Sequence, residues 1–220
     1  MRLLTFLHRW LGVVLGLFFT MWFLSGMVMM YVPFPSLPED VRMSYMPTID
    51  TQAMNISPDV AVASCGLNEI TGLRVISINE RPAYVCKYQS RTVQAIYADD
   101  GSKAPPLNQD TLINRVKQKT SSPIELIAQV EYDQWTVHQK FDSNRPMYRV
   151  ELADSKETHL YFSSSTGELV QLTTGSQRFW NYLGAVVHWI YPTILRKHWA
   201  VWDLSLINIS EPTRRRAMAE

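Results

Sequence analysis
From residue 10 to residue 32 the chain contains no Asp, Glu, Lys, Arg, His, Asn or Gln. At about 1.5 Å per residue this stretch spans about 34 Å as a helix, enough to cross a hydrocarbon core of about 30 Å with some tilt. Arg2 and Arg9 precede it, and Pro33, Pro35 and Pro38 follow and stop it. Basic residues stay on the cytoplasmic side, so residues 1–9 are expected inside and residue 33 onward outside, with Trp10 and Tyr31 suited to the two interfaces. A cleaved signal peptide would have a shorter apolar stretch, about 7–15 residues, and a small-x-small cleavage site. Met27-Val28-Met29-Met30-Tyr31 offers no such site. The run therefore reads as a membrane anchor.

Charge argues against one class of function. The chain has 21 basic and 20 acidic residues, whereas a nucleic-acid binder would usually carry a basic patch. Residues 204–220 hold three Arg and two Glu, so without them the balance is 18 to 18.

Residues 33–178 read as an ordinary soluble α+β domain containing a duplication. Arg81-Pro82-Ala83-Tyr84-Val85-Cys86-Lys87-Tyr88 is followed by Ala95-Ile96-Tyr97-Ala98-Asp99-Asp100-Gly101. Arg145-Pro146-Met147-Tyr148-Arg149-Val150-Glu151-Leu152 is followed by His159-Leu160-Tyr161-Phe162-Ser163-Ser164-Ser165-Thr166-Gly167-Glu168-Leu169-Val170. Each reads as an alternating strand, a polar turn, a second strand and a Gly-containing turn. The spacing, Arg81 to Arg145, is about 64 residues, a duplication and not a long array. A helix is expected before each hairpin, over 57–64 and 108–118, with Ser57-Pro58 and Asn108 supplying the N-terminal signals. The two units cover 33–107 and 108–178.

Cys65 and Cys86 are the only cysteines. In an oxidising compartment they could form a disulfide; otherwise they are two separate small hydrophobes. No CxxC or nearby His pair suggests a metal site. The domain also lacks HExxH, GxSxG and a phosphate-binding glycine loop. Asp133-Gln134-Trp135-Thr136-Val137 is aromatic and polar enough to line a site, although such a Trp more often packs between strands.

Two histidines stand out near the membrane. His8, Gly12 and Gly16 are spaced four apart and share one helix face. Gly12-Val13-Val14-Leu15-Gly16 is a GxxxG that lets another helix approach, which is the commoner meaning of such spacing. Alternatively, His8 ligates a haem iron and the glycines make room for the ring. Residues 179–203 carry Phe179, Trp180, Tyr182, Trp189, Tyr191, Trp199 and Trp202. With Arg196, Lys197 and His198 they suit an interfacial helix, broken near Pro192, that leads toward a second membrane helix. His188 lies there, as an interfacial or core histidine or as a haem ligand on the outer side.

Leu204-Ser205-Leu206-Ile207-Asn208-Ile209-Ser210-Glu211-Pro212-Thr213-Arg214 reads as a translated sequencing adapter, with Asn208 where the adapter frame would give His. Residues 204–220 are therefore expected to be foreign, and the natural sequence to continue past Asp203 into further membrane helices.

His8-Arg9-Trp10-Leu11-Gly12, Ser25-Gly26, the strand pair ending at Val170, and Arg178-Phe179-Trp180-Asn181-Tyr182-Leu183-Gly184-Ala185-Val186-Val187-His188-Trp189-Ile190-Tyr191-Pro192 together resemble the PepSY-associated transmembrane family. The resemblance covers residues 1 to about 203. It implies an inner-membrane protein with periplasmic PepSY units, often linked to iron uptake. Some members resemble ferric-siderophore reductases that hold haem b between membrane helices. By that resemblance His8 and His188 would be haem ligands beside Gly12 and Gly16, and the partners would be the lipid bilayer and a ferric siderophore. The family's alternative role is a membrane-tethered module that binds or restrains a periplasmic peptidase.

Overall fold
In the computed structural model, residues 2–66, 70–89 and 92–198 are described. Their architecture is mixed α+β: an N-terminal apolar helix and two antiparallel sheets. Contacts divide the chain into two units. One contains the N-terminal helix and the segment after Gly175; the other is Pro35–Gly175.

Helix α1 runs from Arg2 to Tyr31, about 45 Å at the α-helical rise. It begins before the apolar run because residues 2–9 contain no helix breaker, and Pro33 follows its last backbone bond, Val32 N to Val28 O at 2.9 Å. It is long and apolar enough to span a membrane, and only 6% of its most apolar window is buried. The core helix of a soluble protein would bury that surface. In the same unit, α5 (Gly175–Asn181) leads into a π-helical stretch, Tyr182–Val186. The chain turns at Ile190 (φ 49°) and Pro192 before a last short helix, α6 (Thr193–Arg196). Residues 199–220, including Trp199, Trp202 and the adapter-like tail, lie outside the described residues.

Within Pro35–Gly175, a short helix α2 (Glu39–Ser44) comes first, held by an Arg42–Glu39 ion pair. Then each repeat is a helix followed by a sheet. In the first, α3 (Pro58–Cys65) follows Ser57 with Pro at its start and ends at Gly66, whose φ of 87° suits a residue without a side chain. Strands β1 (Ile70–Ile78), β2 (Arg81–Tyr88) and β3 (Val93–Tyr97) form an antiparallel sheet in that order. Alternation buries both faces. Tyr84 meets Ala61 and Ala98 on the helix side, while Ala83, Val85, Ala95 and Tyr97 pack with Ile76 and Ile78 on the other.

In the second repeat, α4 (Gln109–Lys119) is capped by Asn108, whose side chain accepts from the Asp110 N–H at 2.7 Å. Strands β4 (Ile124–Val130), β5 (Met147–Leu152), β6 (His159–Ser163) and β7 (Leu169–Thr173) follow in sequential antiparallel order. Leu112 and Val116 of α4 pack on Val150, Leu152, Leu160, Phe162 and Leu169, all on one face of the sheet. The glycine turns have the expected purpose, with φ of 76° at Gly101 and 73° at Gly167. Strands β1 and β4, which lead each sheet, are additional to the hairpins read from the sequence.

Candidate functional site
The α1–α5 unit assembles the most specific polar arrangement around a histidine. Gly184 on the π-helical stretch fits against Val28 and Met29, where an added Cβ would come within 3.1 Å of Val28 Cγ1. Gly26 gives the same clearance to His188: a Cβ there would lie 3.2 Å from the imidazole Cε1. Two glycines therefore let the segment close onto α1. π-Helical turns of this kind often occur at functional sites because they re-aim side chains.

His188 is half-buried and makes defined contacts. Its ring stacks on Trp22, with centroids 5.2 Å apart at 26°. Nδ1 lies 3.1 Å from the Trp22 carbonyl oxygen and 3.2 Å from Ser25 Oγ. Ser25 donates its hydroxyl proton to the same carbonyl at 2.9 Å. A carbonyl oxygen accepts only, so the ring proton belongs on Nδ1, which donates to Trp22 O. In the neutral ring this leaves Nε2 with its lone pair. The Trp22 indole N–H in turn donates to the His188 carbonyl at 3.1 Å, so the two residues clamp each other. Ser25 is the one buried residue of α1.

His8 is exposed and lies along α1 with Leu4, Leu7 and Leu11. It precedes Gly26 by about five helical turns, so both occupy one side of the helix about 27 Å apart along its axis. The structure does not bring His8 and His188 together. Gly12 and Gly16 face open space among the described residues, so both a packed helix and a flat ring fit there.

A haem iron takes a neutral imidazole nitrogen, and a ligating histidine usually donates its other ring N–H to a carbonyl or carboxylate. His188 has that arrangement through Trp22, and His8 has the donor atom without the second contact. The residues fit a haem by donor chemistry. No group of three or more His, Cys, Asp or Glu able to hold a bare metal ion occurs among the described residues.

The structure joins Cys65 and Cys86 in a disulfide that ties the end of α3 to β2. The 133–137 motif is structural. The Asp133 carboxylate accepts from Arg149 at 2.9 Å and from the Tyr161 hydroxyl at 2.9 Å, and Trp135, Thr136 and Val137 are buried. Arg145 bolts this loop by donating to the Thr136 carbonyl at 2.7 Å and to the Glu131 carbonyl.

Trp22, Ser25 and Gly26 were not singled out as site residues in the sequence. The available signal was Ser25, a hydroxyl in an apolar helix, which requires a local or tertiary partner. Comparison of the chain with protein families, curated proteins and solved structures found no match.

Proposed function
We propose that this chain is part of a PepSY-type inner-membrane protein that moves electrons outward to iron held by a ferric siderophore. In this reading α1 crosses the membrane with Arg2 and Arg9 inside, and the α+β domain lies in the periplasm. His8 then sits near the inner face and His188 near the outer face. Haem b, when bound, supplies one-electron transfer between an inner donor and the outer side. The chain's own residues do the rest. Trp22 O fixes the His188 tautomer and, with the Trp22 ring, its orientation. Exposed Phe179, Trp180, Tyr182 and Leu183 extend the apolar surface that lipid would cover. Iron(II) binds hard oxygen chelators more weakly than iron(III), so reduction would release the metal.

The observation that carries this reading is the Nδ1–H of His188 held by a backbone carbonyl, with Nε2 left as a ligand nitrogen. The test is the optical spectrum of the full-length protein of which this chain is part, purified in detergent after haem supply. A Soret band is expected, lost or shifted in His188→Ala and reduced in His8→Ala. Full-length wild type without a Soret band would refute the reading.

One observation favours a second role, a tethered peptide-binding module. Strands β1 and β4 are sheet edges with exposed residues, including Leu73 and Leu126. Such edges can take up an extended partner chain. Capture of a periplasmic peptidase by the full chain, unaffected by the two histidine substitutions, would favour that role.

A further inference from the structure
The Pro35–Gly175 unit contains a strongly cationic cleft that neither role above uses. A recess of about 450 Å³ is lined by Arg42, Arg74, Lys87 and Lys140, with Glu168 as its one carboxylate. It continues into a second recess of about 320 Å³, which shares Lys87, Lys140 and Ser143 and adds His138. These volumes fall within the range of about 300–1,000 Å³ usual for small-molecule sites. Four cations against one anion is a concentrated field in a chain whose total formal charge is +1.

The single carboxylate is already satisfied. Glu168 is buried and held by both guanidinium nitrogens of Arg74, with Arg42 at 4.0 Å. Arg42 is itself paired with Glu39, so the excess charge is carried by Lys87 and Lys140, which are exposed; Lys140 Nζ rests 4.8 Å above the Phe141 ring. The Arg74–Glu168 pair also demonstrates that guanidinium groups here grip a carboxylate through two parallel bonds. Ser143 and Asn144 line the same cleft and offer neutral donors between the charges.

We infer that this cleft binds a compact organic anion carrying several carboxylate or similar oxygens, with Lys87 and Lys140 as its main contacts. Two sources carry that chemistry, a free polycarboxylate and an anionic iron(III) chelate; naming the chelate rests on the proposed reductase role, while the anion site does not. The test is isothermal titration of the full chain in detergent with iron-free citrate and, separately, with iron(III) citrate. At least one is expected to bind. The double variant Lys87→Gln/Lys140→Gln is expected to bind at least tenfold more weakly with an unchanged melting temperature. Raising salt from about 20 to about 500 mM should weaken the wild type by a similar factor, because exposed charges are screened. Tighter binding of the iron complex assigns the cleft to a chelate; equal or tighter binding of citrate alone assigns it to a free polycarboxylate. Failure of both to bind at millimolar concentration, or equal binding by the double variant, overturns the proposal. The Soret band is read separately on the full-length protein, so loss of the haem reading with retained citrate binding separates the two ideas.

Discussion
Breaking the Cys65–Cys86 bond should destabilise the α+β unit by an amount that its place in the chain sets. The two cysteines are 21 residues apart. Cross-linking a loop of that length removes about 11 cal/mol/K from the unfolded chain, or about 3 kcal/mol at 25 °C in the chain-entropy treatment. The folded side is well packed: Cys86 is fully buried beside Ile96, and the Tyr88 hydroxyl donates to the Cys65 carbonyl at 2.6 Å. The alanine pair loses the cross-link and, at buried Cys86, the packing of one sulfur atom, a smaller loss in the same direction. The unit Pro35–Gly175 has about 140 residues, giving an unfolding entropy of about 0.3 kcal/mol/K, so the melting temperature should fall by about 10 °C. Scanning calorimetry of the full chain in detergent, wild type against Cys65→Ala/Cys86→Ala, reads this directly. Each single substitution should lower the transition about as much as the double, because either one removes the whole cross-link. A fall of less than about 3 °C, or single effects that add, would refute the entropic argument.

The same bond reports sidedness. Disulfides persist outside the cytoplasm and are reduced within it. Alkylation of membrane-inserted chain before reduction should leave both thiols unlabelled. Quantitative labelling would place the domain on the cytoplasmic side and remove the basis of the proposed orientation.

Two more predictions concern other parts of the molecule. Hydrogen bonds from the Ser102 hydroxyl and backbone, then from Arg81, hold Asp100 at about 2, below its ordinary 3.8. A lowered folded value means stability that is present above about pH 4 and lost as pH falls through about 2, so the gap in melting temperature between wild type and Asp100→Asn should close across that window; a gap constant down to about pH 2 would contradict the sign. Gly184→Leu places a side chain where even a Cβ is 3.1 Å from Val28 Cγ1. Overpacking of about 1–3 kcal/mol should speed amide exchange over residues 182–189 roughly tenfold to hundredfold, and unchanged exchange would show that this helix contact is not formed in solution.

The elements that the sequence displayed openly are those with one dominant local cause. Helix α1 follows from an apolar run without charge, α4 from the Asn108 cap, and β2 and β5 from Arg-Pro followed by alternating residues. Strands β1 and β4 were hidden for a shared reason. Both carry an irregularity in register near their start, between Ile70 and Gly72 and between Ile124 and Leu126, which interrupts the alternation. The β1–β2 turn is also disguised, because Asn79 and Glu80 take φ of 49° and 67° where a hairpin signal would normally show Asn-Gly. At the candidate site the histidines could be picked out by residue type, but the partner that fixes the His188 tautomer is a backbone carbonyl 166 positions away. No spacing rule encodes such a contact. Conversely, Asp133–Val137 had the composition of a site, and burial turned it into a packed loop.

The distribution of polarity along α1 ties these observations together. A helix exposed on nearly every side needs an apolar surrounding, and a hydroxyl in that surrounding is unfavourable unless it is bonded. Ser25 could satisfy itself by donating back to Trp22 O, as hydroxyls in apolar helices commonly do. It is also the helix's one buried residue, and it lies beside the only carbonyl of α1 that His188 reaches. Trp22, Ser25 and Gly26 therefore share one face for one reason: they receive the imidazole. The C-terminal third of α1 is thus shaped by a histidine far along the chain as much as by its apolar composition.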